Sequence, residues 1–142
     1  MRAKQVSVFL ENKSGRLNEV AQILGDAGIN ISAFTVADTS DFGVLRLIVS
    51  DPEKACTVLR KKQFSARTTD VVLAKSPNEP GALSKMLKIL NKEGVFIEYL
   101  YAFSMNDATA AIVIRPSDID KCIEKLDKHR DELLSDNSKY LL

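Results

Sequence analysis

The chain contains the same segment twice, and this constrains its fold more than any other feature. Leu17 set on Leu83, a shift of 66 residues (83 − 17), aligns the two halves without a gap over a long stretch. Asn12 then falls on Asn78, Gly15 on Gly81, Ile23 on Ile89 and Leu24 on Leu90. Gly28 falls on Gly94, Ile31 on Ile97, Asp41 on Asp107 and Cys56 on Cys122. The matched apolar residues recur at helical spacing, and the matched Gly and Asn residues stand at segment ends. A repeat of this length is too long for a solenoid unit and suits a small domain. The chain therefore reads as two similar domains, residues 1–69 and 70–142. Each half is marginal for a core of its own, so an extensive interface between them is expected, with any site formed there.

Hydrophobic periodicity gives the element order. Val6–Leu10 reads as a strand and Arg16–Ala27 as a helix, with Leu17, Val20, Ile23, Leu24 and Ala27 on one face. Ser14 is a candidate N-cap and Gly28 a candidate C′ residue. Ile29–Val36 and Gly43–Val49 read as strands, and Asp51-Pro52-Glu53 opens a helix running to about Lys62. The second half repeats this order: a strand at Val71–Lys75, a helix at Ala82–Glu93 and strands at Val95–Phe103 and Thr109–Ile114. A long helix from Ser117 to about Leu134 follows. Residues Gln63–Lys75 must close one repeat and open the next without a Gly or Pro between the two tasks. Either one long strand serves both sheets or the first sheet is completed elsewhere, with Tyr140-Leu141-Leu142 a candidate. Strand–helix–strand–strand–helix–strand is the ferredoxin-like split βαβ arrangement. The expected fold is α+β: two ferredoxin-like repeats side by side in one eight-stranded antiparallel sheet, helices on one face.

Charge and composition remove several functions. Formal net charge is +1, with 20 basic and 19 acidic residues, which gives no electrostatic pull toward nucleic acid or an anionic membrane. The basic run Arg60-Lys61-Lys62 fits a solvated helix end. No apolar run follows the first residues as in a signal peptide, and none reaches the length of a membrane span. Cys56 and Cys122 sit among apolar residues at equivalent places in the repeats and read as small buried hydrophobes. A reducing compartment fits them better than a disulfide, and a cytoplasmic location is expected.

The search for catalytic chemistry finds little. His129, the one histidine, lies in a charged segment with Lys128, Arg130 and Asp131 and reads as solvent-facing. No Ser-His-Asp or Cys-His arrangement, CxxC pair, ligand-spaced histidine, GxGxxG or phosphate-binding loop is readable. No catalytic residue, metal or cofactor is expected.

What remains is the pair of turns between first strand and first helix, Glu11-Asn12-Lys13-Ser14-Gly15-Arg16-Leu17 and Pro77-Asn78-Glu79-Pro80-Gly81-Ala82-Leu83. Such a turn points backbone N–H groups outward at a helix N-terminus, which suits a carboxylate. Gly permits close approach of a ligand or an unusual dihedral angle. Asn offers both donor and acceptor. The competing reading is that Gly and Asn only shape a tight turn.

The turn Asn-Glu-Pro-Gly-Ala-Leu at 78–83, the helix after it, and Gly-Val-Phe-Ile at 94–97 or Gly-Ile-Asn-Ile at 28–31 resemble the ACT domain family. The resemblance covers residues 4–75 and 70–142. It implies a stand-alone, non-catalytic regulatory module that binds a free amino acid at the interface of two domains. It also implies a listening metabolic enzyme or regulator, and is compatible with a homodimer. Carried over residue by residue, it implies a ligand set of Asn30, Ser76, Asn78, Gly81, Ala82 and Leu83. A second, weaker set is Asn12, Gly15, Arg16, Leu17 and Phe96, where Phe96 replaces the amide of Asn30. Ser14 also stands where the family usually has Pro. Two other readings stay open. Tyr99, Tyr101 and Phe103 alternate on one strand and so share a face, as in sheets that bind single-stranded RNA. The third strands lack the aromatic residues that such binding needs. The same face could instead serve a protein-interaction module without a ligand.

Overall fold

A computed structural model describes residues 1–11, 13–38 and 41–133 of the 142-residue chain. The chain divides into two compact units: Lys4–Thr69, and Met1–Ala3 together with the chain from Asp70 onward.

In the Lys4–Thr69 unit, the elements are β1 (Arg2–Glu11, which enters from the other unit), α1 (Arg16–Asp26), β2 (Ile31–Asp38), β3 (Phe42–Val49) and α2 (Pro52–Lys61). Strand β3 is the middle of an antiparallel trio: Val6 and Val8 of β1 pair with Leu47 and Leu45, and Phe34 of β2 also pairs with Leu47. Val6, Val8, Leu45, Leu47 and Val49 bury one side of these strands against Val20 and Leu24 of α1 and Ala55, Cys56 and Leu59 of α2. Both helices therefore share that side. Fully burying a side chain such as Leu24 or Leu59 contributes roughly 1.5–3 kcal/mol each.

Helix boundaries follow from backbone bookkeeping. Asp51 accepts a hydrogen bond from the Lys54 N–H at 3.1 Å and caps α2, with Pro52 in its first turn. Helix α1 ends with the Gly28 N–H donating to Gly25 O and the Ile29 N–H donating to Leu24 O. That is the 5→2 and 6→1 pattern of a Schellman motif, with Gly28 left-handed at φ 72°. The Lys54 ammonium donates to Ala27 O at 2.8 Å and satisfies a further end carbonyl.

The second unit repeats this construction with α3 (Ala82–Lys92), β5 (Ile97–Asn106), β6 (Thr109–Pro116), α4 (Ile119–Lys128) and a short α5 (Arg130–Leu133). Asp118 caps α4, and Lys121 donates to Gly94 O at 3.0 Å. The expected helix from Ser117 to Leu134 is thus broken at His129. The repeat register also needs correction. It is 66 residues at β2 and β5 (100 − 34, Phe34 against Leu100) but 67 at β3 and β6 (114 − 47, Leu47 against Ile114). The extra residue enters the β5–β6 hairpin, whose ladder carries a bulge between Ser104 and Asn106. Cys122 therefore occupies the place of Ala55, not of Cys56. Both thiols are buried and free, and burial pushes the Cys122 thiol up to about 11 and raises that of Cys56.

The expected eight-stranded sheet does not form. The described strands, with β4 spanning Ser65–Pro77, make one six-stranded sheet, ordered β2-β3-β1-β4-β6-β5. The count falls because two strands are long. The strand β4 (Ser65–Pro77) runs 13 residues without a break, and the boundary between the units falls inside it, as it falls inside β1. Nothing in Gln63–Lys75 interrupts an extended chain, so one strand closes the first repeat and opens the second. The final strand expected at 139–142 lies outside the described residues.

Candidate functional site

The turn before α3 is built around Gly81, which has φ 87° and ψ −13°. Gly15 before α1 has the same left-handed conformation, φ 87° and ψ −9°. A Cβ added at either would meet nothing within 4 Å, so the dihedral angle, rather than close packing, demands Gly here. These glycines are themselves the N-cap residues, and no side chain hydrogen-bonds to either helix start. Ser14 does not cap α1 as its position suggested. By contrast, α2 and α4 each begin with a capping Asp. Two of the four main helices thus begin without a side-chain acceptor for their first-turn N–H groups, and both are at the turns singled out by sequence. The first turn of α3 holds no acidic residue, whereas that of α1 holds Glu19, paired with Arg16 at 3.1 Å.

The remaining residues of the expected set fall as follows. The Asn78 N–H donates to Ala108 O at 2.9 Å, and its amide nitrogen reaches Asp107 O at 3.5 Å, so Asn78 also braces the β5–β6 hairpin. Ser76 is buried and donates to Pro77 O at 3.3 Å. The Ala82 N–H donates weakly to Glu79 O at 3.3 Å, and Leu83 is exposed. Asn30 belongs to the other unit, where its backbone exchanges hydrogen bonds with Ser50 and its side chain is exposed. Phe96 holds the matching backbone position, its carbonyl accepting from the Ser117 N–H at 3.0 Å, and its ring is exposed. Of the weaker set, Arg16 and Leu17 open α1 and are described with Gly15; Asn12 lies outside the described residues. Tyr99, Tyr101 and Phe103 are each half-buried on β5.

Sequence reading missed the acidic side of the α3 start. A cleft there is lined by Pro77, Glu79, Ala82, Lys85, Asp131, Glu132 and Leu133. Asp131 and Glu132 stand about fifty residues along the chain from the turn, and only the fold brings them near. His129 is likewise not solvent-facing. Its Nε2 is 2.8 Å from a Glu93 carboxylate oxygen and its Nδ1 is 3.0 Å from one of Glu132. The hydrogen bond from His129 is the main reason Glu93 is pushed down to about 2, with Lys128 and Lys125 adding to it. Reciprocally, Glu93 and then Glu132 raise the His129 pKa. This cluster braces the end of α4 against the end of α3. Among the described residues, no group of three or more His, Cys, Asp or Glu side chains could hold a metal ion, and no helix is long and apolar enough to cross a membrane.

A split βαβ repeated twice, each copy opening its first helix on a left-handed Gly without a side-chain cap, defines the class as a tandem pair of ferredoxin-like domains. The chain belongs to the ACT domain pair family, whose model matches residues 1–140. Its structure is similar to that of protein BT0572 from Bacteroides thetaiotaomicron, with a TM-score of 0.87 and 55% identity over 92% of this chain and 90% of that one. It is also similar to the regulatory subunit of aspartate kinase from Thermus thermophilus in its ligand-free form, with a TM-score of 0.65 and 12% identity over 90% and 96%. The corresponding subunit from Thermus flavus gives 0.64 and 14% over 92% and 96%. At that identity the likeness is one of fold. No curated protein matches the chain.

Proposed function

We propose that the protein is a non-catalytic regulatory module that binds a free amino acid at the turn Ser76–Leu83. The observation that carries this is the contrast between helix starts. Asp side chains cap α2 and α4, while α3 begins on Gly81 with no side-chain cap and no acid in its first turn. Its backbone donors and positive dipole end favour an anion such as an α-carboxylate. The acidic cleft beside it, with Glu79, Asp131 and Glu132, favours the ammonium group of the same molecule. The amide of Asn78 supplies a polar contact, and Asn30 is the second amide that the family resemblance adds. The set of Asn12, Gly15, Arg16, Leu17 and Phe96 binds more weakly, because Phe96 cannot replace an amide and Glu19 already faces Arg16. The reading as a regulator, acting through a metabolic enzyme or another protein, is supported by the aspartate kinase regulatory subunits that share the fold.

Calorimetry with the twenty amino acids on the full chain tests the reading. One of them should bind at one strong site per chain. Asn78→Ala and Asn30→Ala should each weaken it ten- to hundredfold, about 1–3 kcal/mol. Because Asn78 also braces a hairpin, its melting temperature is measured alongside. Binding to none of the twenty, or two equal sites per chain, would contradict the proposal.

A further inference from the structure

The cleft beside α3 has a wall whose charge depends on one proton. Glu132 lines it together with Glu79, Lys85 and Asp131. The same Glu132 carboxylate lies 3.0 Å from His129 Nδ1, and Nε2 of that ring lies 2.8 Å from Glu93. We propose that the cleft takes the ammonium end of its ligand more tightly as pH rises, because the doubly protonated His129 ring holds Glu132 and the neutral ring releases it. The proposal rests on the amino-acid reading given above and adds how that site is regulated.

A neutral imidazole has one N–H, and an imidazolium has two. Both ring nitrogens of His129 face a carboxylate oxygen, so both contacts are hydrogen bonds only while the ring is charged. Once the ring loses a proton, one nitrogen turns a lone pair toward a carboxylate, and that contact repels. Which contact breaks is decided by what else holds each acid. Glu93 is also 3.3 Å from the Lys128 ammonium and 3.6 Å from that of Lys125, and its side chain is only 17% exposed. Glu132 is 61% exposed, and among the described residues His129 is the one cation paired with it. The remaining proton therefore stays on Nε2 with Glu93, and Glu132 is let go.

The backbone keeps the released carboxylate at the cleft. The Glu132 and Leu133 N–H groups both donate to His129 O at 3.1 Å, and buried Leu133 fixes this turn to the core. At low pH the imidazolium matches the charge of Glu132. At higher pH the cleft sets Glu79, Asp131 and Glu132 against Lys85. The local charge is then more negative by one, which attracts a cation at short range. Other charged groups near the ring have partners of their own: Arg130 pairs with Asp127 at 3.2 Å, and Lys125 also lies 3.0 Å from Glu124. The Met1 amino group, whose pKa burial lowers, titrates in a similar range but lines a separate cavity with Asp127 and Arg130. Glu93 and then Glu132 raise the His129 pKa above its ordinary 6.5, which places the change in the neutral to mildly alkaline range.

Calorimetry with each of the twenty amino acids on the full chain, at pH 6 and at pH 8.5, tests the proposal. The one that binds should do so about threefold more tightly, or better, at pH 8.5. His129→Asn, uncharged at both, should bind equally at the two pH values and as tightly as the parent does at pH 8.5. His129→Lys, charged at both, should bind equally at the two and as weakly as the parent does at pH 6. The two variants lose the same ring and are expected to move apart, so general damage to α5 does not reproduce the pattern. The titration of the ligand and of Met1 is common to parent and variants and cancels in the comparison. Glu132→Gln should also flatten the pH dependence, at the weaker affinity. Equal or weaker binding by the parent at pH 8.5, or a pH dependence that persists unchanged in His129→Asn, would overturn the proposal and leave the amino-acid reading intact. Binding of none of the twenty at either pH would overturn both.

Discussion

Two left-handed residues and one charged pair decide most of what single residues do here. Gly81 sits at φ 87° with open space around it. Gly81→Ala should therefore cost about 1–2 kcal/mol through backbone strain alone, read as a drop in denaturation midpoint. Gln63, at φ 66°, is the opposite case: replacing it by Gly should stabilise the chain by roughly 1 kcal/mol. The His129–Glu93 pair makes stability depend on pH in two directions. Glu93 has a depressed pKa, so its contribution is present above its unfolded value near 4.5 and is lost as pH falls toward about 2. His129 has a raised pKa, so its contribution is complete below its unfolded value near 6.5 and is lost as pH rises through the folded value. Melting temperature measured from pH 5 to pH 9 should fall for the parent chain, and this fall should be smaller in His129→Asn. Of these residues, the glycines were legible because the repeat marks them twice. Gln63 and His129 were not, since a left-handed Gln has no sequence signature and the partners of His129 include a glutamate 36 residues away.

The elements were mostly legible because their signals are local. Asp51-Pro52 predicts its capped helix, and the apolar spacing of Leu17 to Ala27 predicts α1. Removing a cap should cost about 1 kcal/mol, so Asp51→Ala and Asp118→Ala should lower stability alike. Leu24→Ala, which empties a fully buried position of α1, should cost about 2–5 kcal/mol in urea unfolding. Sequence reading failed where the signal is an absence or a single residue. The length of β4 rests on a stretch lacking any breaker, and short strands are the commoner expectation. The bulge between Ser104 and Asn106 moves the register by one, which the gapless match of Cys56 to Cys122 concealed.

For the whole molecule, the repeat predicts two similar units but not that they share strands. Eight strands would follow if each copy brought its own four; among the described residues there are six, and β1 and β4 each cross a unit boundary. The Met1 amino group donates to Leu73 O, the Leu73 N–H donates to Met1 O, and Arg2 pairs with Asp70 and Asp120. A chain split after Thr69 cuts β4 and removes Met1–Ala3 from the later unit. Neither piece should fold alone with full cooperativity by circular dichroism, while the intact chain should unfold in one transition. The candidate site was legible only as a turn, since its acidic side comes from residues far along the chain.

The central claim is that the start of α3 receives the carboxylate of a free amino acid. Backbone amide NMR on the full chain, recorded while the amino acid found by calorimetry is added, tests this most directly. The largest downfield shifts are predicted at the N–H groups of Ala82, Leu83 and Ser84, and Asn78→Ala should diminish them. Saturable binding that leaves these three resonances in place, with the largest shifts elsewhere in the chain, would contradict the account.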